Sequence, residues 1–273
     1  SSDVCSSDLV TMKHTIYEKM MSVVSQYKST KHESTLVQDG ELTPEEFVIA
    51  GDSLISVCPN WSWAPADPSK KISILPDDKQ FLINRGVVCR NRASDLYKEV
   101  DNEVELEDGW VQAGEKSNEE VVDLDDDNDV VDLDDIDLDE VEPDAEVNGD
   151  NSENDPNSRT YNVYIVYDRY YNVPHVFLSG VNSKGQQLTE KEMYEDISAD
   201  HVEKTVTFED HHMLNMKCLS IHPCKHSHVM KGLIDRSDDP KSFCAPLYFF
   251  TFLKFIHTVI PTIDISTPTI ELN

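Results

Sequence analysis

The densest group of chemically reactive side chains runs from Cys218 to His228 and reads Cys-Leu-Ser-Ile-His-Pro-Cys-Lys-His-Ser-His. Three kinds of chemistry fit these residue types. A metal site could draw on the cysteines and histidines. However, their spacing matches none of the paired zinc patterns, and Pro223 stiffens the backbone between His222 and Cys224. No metal and no cofactor are expected on this basis. A second reading makes Cys224 an ordinary buried thiol and places the histidines on a solvated loop. The third is a nucleophilic cysteine: Cys224 stands just before a helix expected to begin near His226. There the helix dipole, Lys225 and neighbouring imidazoles favour use of the sulfur as an attacking group.

The elements that must position this group are legible around it. Thr43, Pro44 and Glu46 form a capping signature for a helix from Pro44 to about Ser53. Pro59 to Pro68, with Trp61 and Trp63, reads as a loop. Ile72–Leu75, Phe81–Ile83 and Val87–Cys89 read as short antiparallel strands. Tyr161, Val163, Ile165 and Tyr167 alternate along one face of a strand, and a turn through Tyr170 to Pro174 leads into a second strand, His175–Val181. Helices are expected from Thr189 through Ile197, from His226 to Asp235 and from Leu247 to Ile260. Strands in a run followed by helices give an α+β layout, an antiparallel sheet of about four strands with flanking helices.

The chain has 273 residues and a formal net charge of −30. The segment Ser117–Ser158 has no Lys or Arg and holds 19 acidic residues, leaving −11 on the rest. Such a balance is repelled by nucleic-acid phosphate, so nucleic acid is not an expected partner. Residues 101–158 hold little that could pack, and VVDLDDDND is followed by the near-duplicate VVDLDDIDL. This insert is expected to be disordered and to divide one domain into two parts, residues 40–100 and 159–273. Its interleaved Val and Leu could dock on a basic partner.

At the other end, residues 1–11 read as a scar with Met12 as the natural start, and residues 12–30 as an amphipathic helix. In that helix Ile16, Met20, Val24 and Tyr27 recur at helical spacing, which suits either packing on the domain or contact with a membrane surface. The six cysteines are scattered with no signal peptide before them, which points to free thiols in the cytoplasm. The apolar run Leu247–Pro261 is too short to span a bilayer.

The motif His-Pro-Cys-Lys-His, preceded by MYEDISADHVEKTVTFED and followed by FLKFIHTVIPTI, resembles the autophagy-related protein 3 family. The resemblance extends to LTPEEFVIAGD, CPNWSWA, LPDDKQFLINRGVVC and TYNVYIVYDRYYNVPHVFLSG, on both sides of the acidic insert. It implies a ubiquitin-conjugating-enzyme-like fold with Cys224 as the active-site cysteine. That cysteine would carry the autophagy ubiquitin-like modifier as a thioester, received from an ATP-dependent activating enzyme. It would pass the modifier to the amine of phosphatidylethanolamine, from the cytoplasm and transiently on autophagic membranes.

The resemblance also assigns membrane sensing to the amino-terminal segment, recruitment of the activating enzyme to the acidic insert, and an oxyanion-supporting role to Thr205 ahead of Thr207. His201 and Val202 would couple the membrane helix to the catalytic loop. His226 and His222 are candidate bases for the incoming ammonium, His222 being equally suited to shaping the loop beside Pro223. The end after Ile263, DISTPTIELN, departs from the aromatic tail of the family. A non-catalytic adaptor of the same fold, holding partners through its acidic segment, is the alternative.

Overall fold

The computed structural model describes residues 32–100, 157–237 and 239–265. Residues 1–11, read as a scar, residues 12–30 with Ile16, Met20, Val24 and Tyr27, read as an amphipathic helix, and residues 101–156 of the acidic insert, expected to be disordered, lie outside the described residues. A six-stranded antiparallel sheet organises the rest, in the order β1-β2-β3-β4-β6-β5. Its strands are β1 (Trp61–Ala64), β2 (Phe81–Cys89), β3 (Arg159–Asp168), β4 (Val173–Asn182), β5 (Val206–Asp210) and β6 (Lys217–Ile221). The helices are α1 (Leu36–Asp39), α2 (Pro44–Val57), α3 (Ala93–Val100), α4 (Glu190–Tyr194), α5 (His226–Arg236) and α6 (Ala245–Val259). The chain is thus α+β, with six strands where four are expected.

Four differences account for the strand count. Trp61–Ala64 is a strand despite the flanking prolines, because an edge position needs only one hydrogen-bonded neighbour, here β2. Phe81–Cys89 is one strand and not two: Gly86, at φ 75°, carries a bulge that lets the chain continue its pairing with β3. β5 and β6, short and bounded by polar residues, have no sequence-based expectation. Conversely, Ile72–Leu75 is no strand. The buried Gln80 side chain takes the place of a ladder there, accepting from Ile72 N at 2.7 Å and donating to the carbonyls of Ile72, Leu75 and Pro76.

The helix signals hold with shifted ends. Thr43 and Glu46 form the reciprocal capping box, Glu46 N donating to Thr43 Oγ1 at 3.2 Å and Thr43 N to Glu46 Oε2 at 2.8 Å. The helix continues to Val57, since Leu54 still points into the core. Thr189 and Glu192 repeat the device at α4, which stops at Tyr194 rather than Ile197.

Alternation along the strands divides the interior. Tyr161, Val163, Ile165 and Tyr167 of β3 join Val176 and Leu178 of β4 in the larger core under α2, α5 and α6. Phe47 sits in it against Phe249 and Tyr167, with ring centroids 5.5 and 5.3 Å apart. On the other face Phe81, Tyr164, Val166, Phe177 and Cys218 form a smaller cluster roofed by Met213 and its neighbours in the β5–β6 connection.

β2 pairs with β3 along Phe81–Cys89, so the two parts flanking the acidic insert are adjacent strands of one sheet. They are also clamped at Asp196, a fully buried carboxylate. It takes Arg92 Nη1 at 3.0 Å, Arg159 Nη1 at 2.9 Å and the Tyr161 hydroxyl, while its backbone carbonyl accepts from Thr262 Oγ1 at 2.7 Å. Burial, and then the facing carboxylate, push the Tyr161 phenol far above its ordinary range, so it remains a donor.

Candidate active site

β6 delivers the chain from the sheet into His222, and a 3-10 turn, Pro223–Lys225, leads directly into α5. Pro223 suits the first position of the turn, where its missing N–H costs nothing. His222 caps it: the backbone N–H of Cys224 donates to His222 Nδ1 at 3.2 Å. That bond requires a lone pair on Nδ1 and so places the proton of the neutral ring on Nε2. Cys224 is exposed at the outer edge of the turn while Pro223 and His226 on either side are buried.

Among the described cysteines, Cys58, Cys89 and Cys218 are buried and Cys224 and Cys244 are exposed. Burial pushes the Cys218 thiol up to about 12 and Cys89 to about 11, which makes both inert packing residues. Cys244 precedes α6 with no side-chain cap near it. Among the described cysteines only Cys224 combines exposure with a histidine-capped turn.

The sequence-chosen neighbours fall into two groups. His222 and Thr205 meet the turn: His222 N donates to the Thr205 carbonyl at 2.8 Å, and Thr205 Oγ1 shares a 2.9 Å hydrogen bond with His201 Nδ1. Half-buried, His201 has its pKa lowered by desolvation, so it is a neutral partner for Thr205. A hydrogen-bonded line therefore runs from His201 through Thr205 and His222 to Cys224. Thr207, by contrast, is held on β5 in a bond to Glu209.

His226 belongs to the core. Its Nδ1 donates to the Pro174 carbonyl at 2.8 Å, and its ring packs edge-on against Phe252 and Phe255 at 5.3 and 5.6 Å. Burial drives its pKa down to about 3. That geometry suits the shaping of the loop, since the bond to Pro174 ties the start of α5 to the β3–β4 hairpin.

Sequence reasoning missed the contribution of that hairpin. Tyr171, in the turn between the strands, presents its ring edge-on to His222 at 5.8 Å. Asp168 Oδ1 fixes the turn by accepting from Tyr170 N and Tyr171 N, both at 2.8 Å. An Asp followed two and three residues later by turn backbone was the available signal.

An α+β domain that presents one exposed cysteine on a capped turn between sheet and helix is the shape of a conjugating enzyme's active-site domain. The family model described as "Autophagocytosis associated protein, active-site domain" matches residues 46–267. Autophagy-related protein 3 of Dictyostelium discoideum is 34% identical, covering 94% of this chain and 97% of its own length. The protein of that name from Arabidopsis thaliana is 35% identical over 93% and 96% of the two chains, and that from Pichia angusta 38% over 76% and 72%. The chain belongs to the autophagy-related protein 3 family, and its activity is that of an autophagy conjugating enzyme.

Proposed function

We propose that Cys224 carries the autophagy ubiquitin-like modifier as a thioester and transfers it to the amine of phosphatidylethanolamine. The observation that carries this reading is the exposed Cys224 sulfur on a turn whose backbone is held by His222, within a match to an active-site domain.

In the first step the Cys224 thiolate attacks the thioester carbonyl that joins the modifier's terminal glycine to the activating enzyme. A new S–C bond forms, the old one breaks, and the activating enzyme's cysteine leaves as the thiolate, an exchange of nearly equal energies. In the second, the lipid amine attacks the same carbonyl, N–C forms, and Cys224 departs as thiolate from a tetrahedral oxyanion. Thr205, tied to the turn through its carbonyl, is the residue assigned to support that oxyanion. With His226 buried and His222 Nδ1 committed to Cys224 N–H, the ammonium proton passes to the solvent that reaches Cys224.

Residues Ile16, Met20, Val24 and Tyr27 bring the enzyme to the lipid surface, and the acidic insert recruits the activating enzyme. Among the described residues no helix is long and apolar enough to cross a membrane. In this reading contact with autophagic membranes is transient and the working location is the cytoplasm.

The test is reconstitution with activating enzyme, ATP, modifier and vesicles containing phosphatidylethanolamine. The expected product is the lipid-linked modifier, absent with Cys224→Ala and with vesicles lacking a primary-amine lipid. Modifier retained on the protein without transfer would sink the lipid substrate; no loading at all would leave the adaptor of the same fold.

A further inference from the structure

On the sheet face away from the helices, Asp168 at the end of β3 and His175 near the start of β4 are diagonal neighbours across the hairpin, since Val166 pairs with His175 and Asp168 with Val173. His212, from the β5–β6 connection, lays its ring edge-on to His175 at 4.9 Å and to Phe177 at 5.0 Å. One ligand atom from each of Asp168, His175 and His212 lies within 4.8 Å of the others. These three come from separate elements and lie outside the Cys218–His228 segment.

The detail that asks for a ligand is at His175. The residue is 0% exposed, and its Nδ1 finds no hydrogen-bond partner among the described residues. The nearest carboxylate oxygen, Asp168 Oδ2, stands at 3.7 Å, beyond hydrogen-bond reach. The opposite ring nitrogen, Nε2, is 2.7 Å from Ser220 Oγ. When Nε2 donates to Ser220, the Nδ1 lone pair is aimed into the space shared with the carboxylate. In that tautomer two electron-rich groups face each other in a buried place, an arrangement that a cation between them satisfies.

Asp168 is prepared in the same way. Its Oδ1 is held by the two turn N–H groups, leaving Oδ2 turned towards His175. A tetrahedral ion with ligands at about 2.0–2.1 Å needs ligand atoms roughly 3.3–3.4 Å apart, so shifts of about 1 Å close the set. Two imidazoles and one carboxylate are the donor set of a borderline divalent ion and not of magnesium or calcium, which take oxygen.

We propose that Asp168, His175 and His212 form a binding site for one divalent transition-metal ion of the zinc class, with Ser220 orienting the His175 ring. The ion ties the β3–β4 hairpin to the β5–β6 connection. Its supporting residue, Ser220, lies two positions before His222 on the strand that delivers the Cys224 turn, and the turn fixed by Asp168 holds Tyr171 against His222. The site is separate from the transfer chemistry and stands whether or not Cys224 is the thioester-forming residue.

The test is titration of the full chain with cobalt(II), followed by displacement with zinc. The expected result is visible ligand-field absorption that saturates at one equivalent, is bleached by zinc and lacks a sulfur-to-cobalt charge-transfer band. His212 is half-buried in a connection, so His212→Ala and His212→Gln should keep the far-ultraviolet circular dichroism of the wild type while losing the cobalt spectrum. Ser220→Ala should bind about 10–100-fold more weakly, as loss of a second-sphere partner does. Absence of the spectrum, its survival in both His212 variants, or a sulfur band reporting capture by Cys224 or Cys244 would each overturn the site. Asp168 and His175 would then be an ion pair only.

Discussion

His222 Nδ1 accepts the backbone N–H of Cys224 at 3.2 Å, so a histidine two residues upstream caps the turn that presents the sulfur. The same ring receives Tyr171 edge-on, and the backbone N–H of His222 donates to the Thr205 carbonyl, so the turn, the β3–β4 hairpin and the start of β5 meet at one residue. The position of Cys224 is thereby set by backbone bonds that do not involve its side chain.

Removal of that cap is expected to loosen the turn. His222→Ala should cost about 1 kcal/mol of stability, the usual worth of an N-cap, and should slow transfer from loaded Cys224. His222→Asn supplies a short acceptor in place of the ring and should recover part of the rate. Equal activity of the alanine form and the wild type, measured as single-turnover transfer, would contradict the positioning role.

His226→Ala removes a buried donor, leaving the Pro174 carbonyl without its 2.8 Å partner, and empties space beside Phe252 and Phe255. A loss of roughly 2–4 kcal/mol follows from the unsatisfied acceptor and the cavity together. The folded-state pKa of about 3 lies below the ordinary histidine value near 6.5, so between those limits the unfolded chain binds the extra proton. Stability from this group is fully present above about pH 6.5 and is lost as pH falls towards 3. Chemical denaturation at several pH values should show a shallower acid slope for His226→Gln than for the wild type; identical slopes would show that the ring is charged in the folded state.

The alternation of Tyr161, Val163, Ile165 and Tyr167, the capping box at Thr43 and Glu46 and the prominence of Cys224 were all legible, because each rests on local periodicity or on residues close together in the chain. β1, β5 and β6 were not, since four or five residues carry too little alternation and are stabilised by their neighbours in the sheet. Ile72–Leu75 misled for the complementary reason: its apolar side chains are real core contacts, but the Gln80 side chain, not a partner strand, satisfies its backbone. The role of His226 was hidden too, because burial is a property of the assembled α5, α6 and hairpin. Asp168, His175 and His212 come together only through strand pairing and a connection folded over the sheet, so no spacing in the chain announces them.

Asp196 gathers two arginines and a phenol without exposure to solvent. Asp196→Ala leaves Arg92, Arg159 and Tyr161 facing an uncompensated site and is expected to cost about 3–5 kcal/mol. Its thermal midpoint should fall well below that of Cys224→Ala. A midpoint within a degree or two of the wild type would show that the clamp between the two halves contributes little.

Deletion of Ser117–Ser158 is expected to slow loading by the activating enzyme and leave the fold intact. Cys89 and Arg159 are register partners on β2 and β3, so the sheet already holds together the two strands that the connection joins, and shortening that connection changes closure entropy by only about 1 kcal/mol. A collapse of the thermal transition in the deleted protein would contradict this.

The most direct measurement mixes the protein with activating enzyme, ATP and modifier and resolves the products on a non-reducing gel, with Cys224→Ser alongside. The account predicts an adduct on the wild type that a thiol reagent cleaves, replaced on the serine form by a thiol-resistant ester or by nothing, with Cys224→Ala unloaded yet folded. A thiol-sensitive adduct that survives on Cys224→Ser, or no adduct from a charging mixture shown to be active, would contradict it.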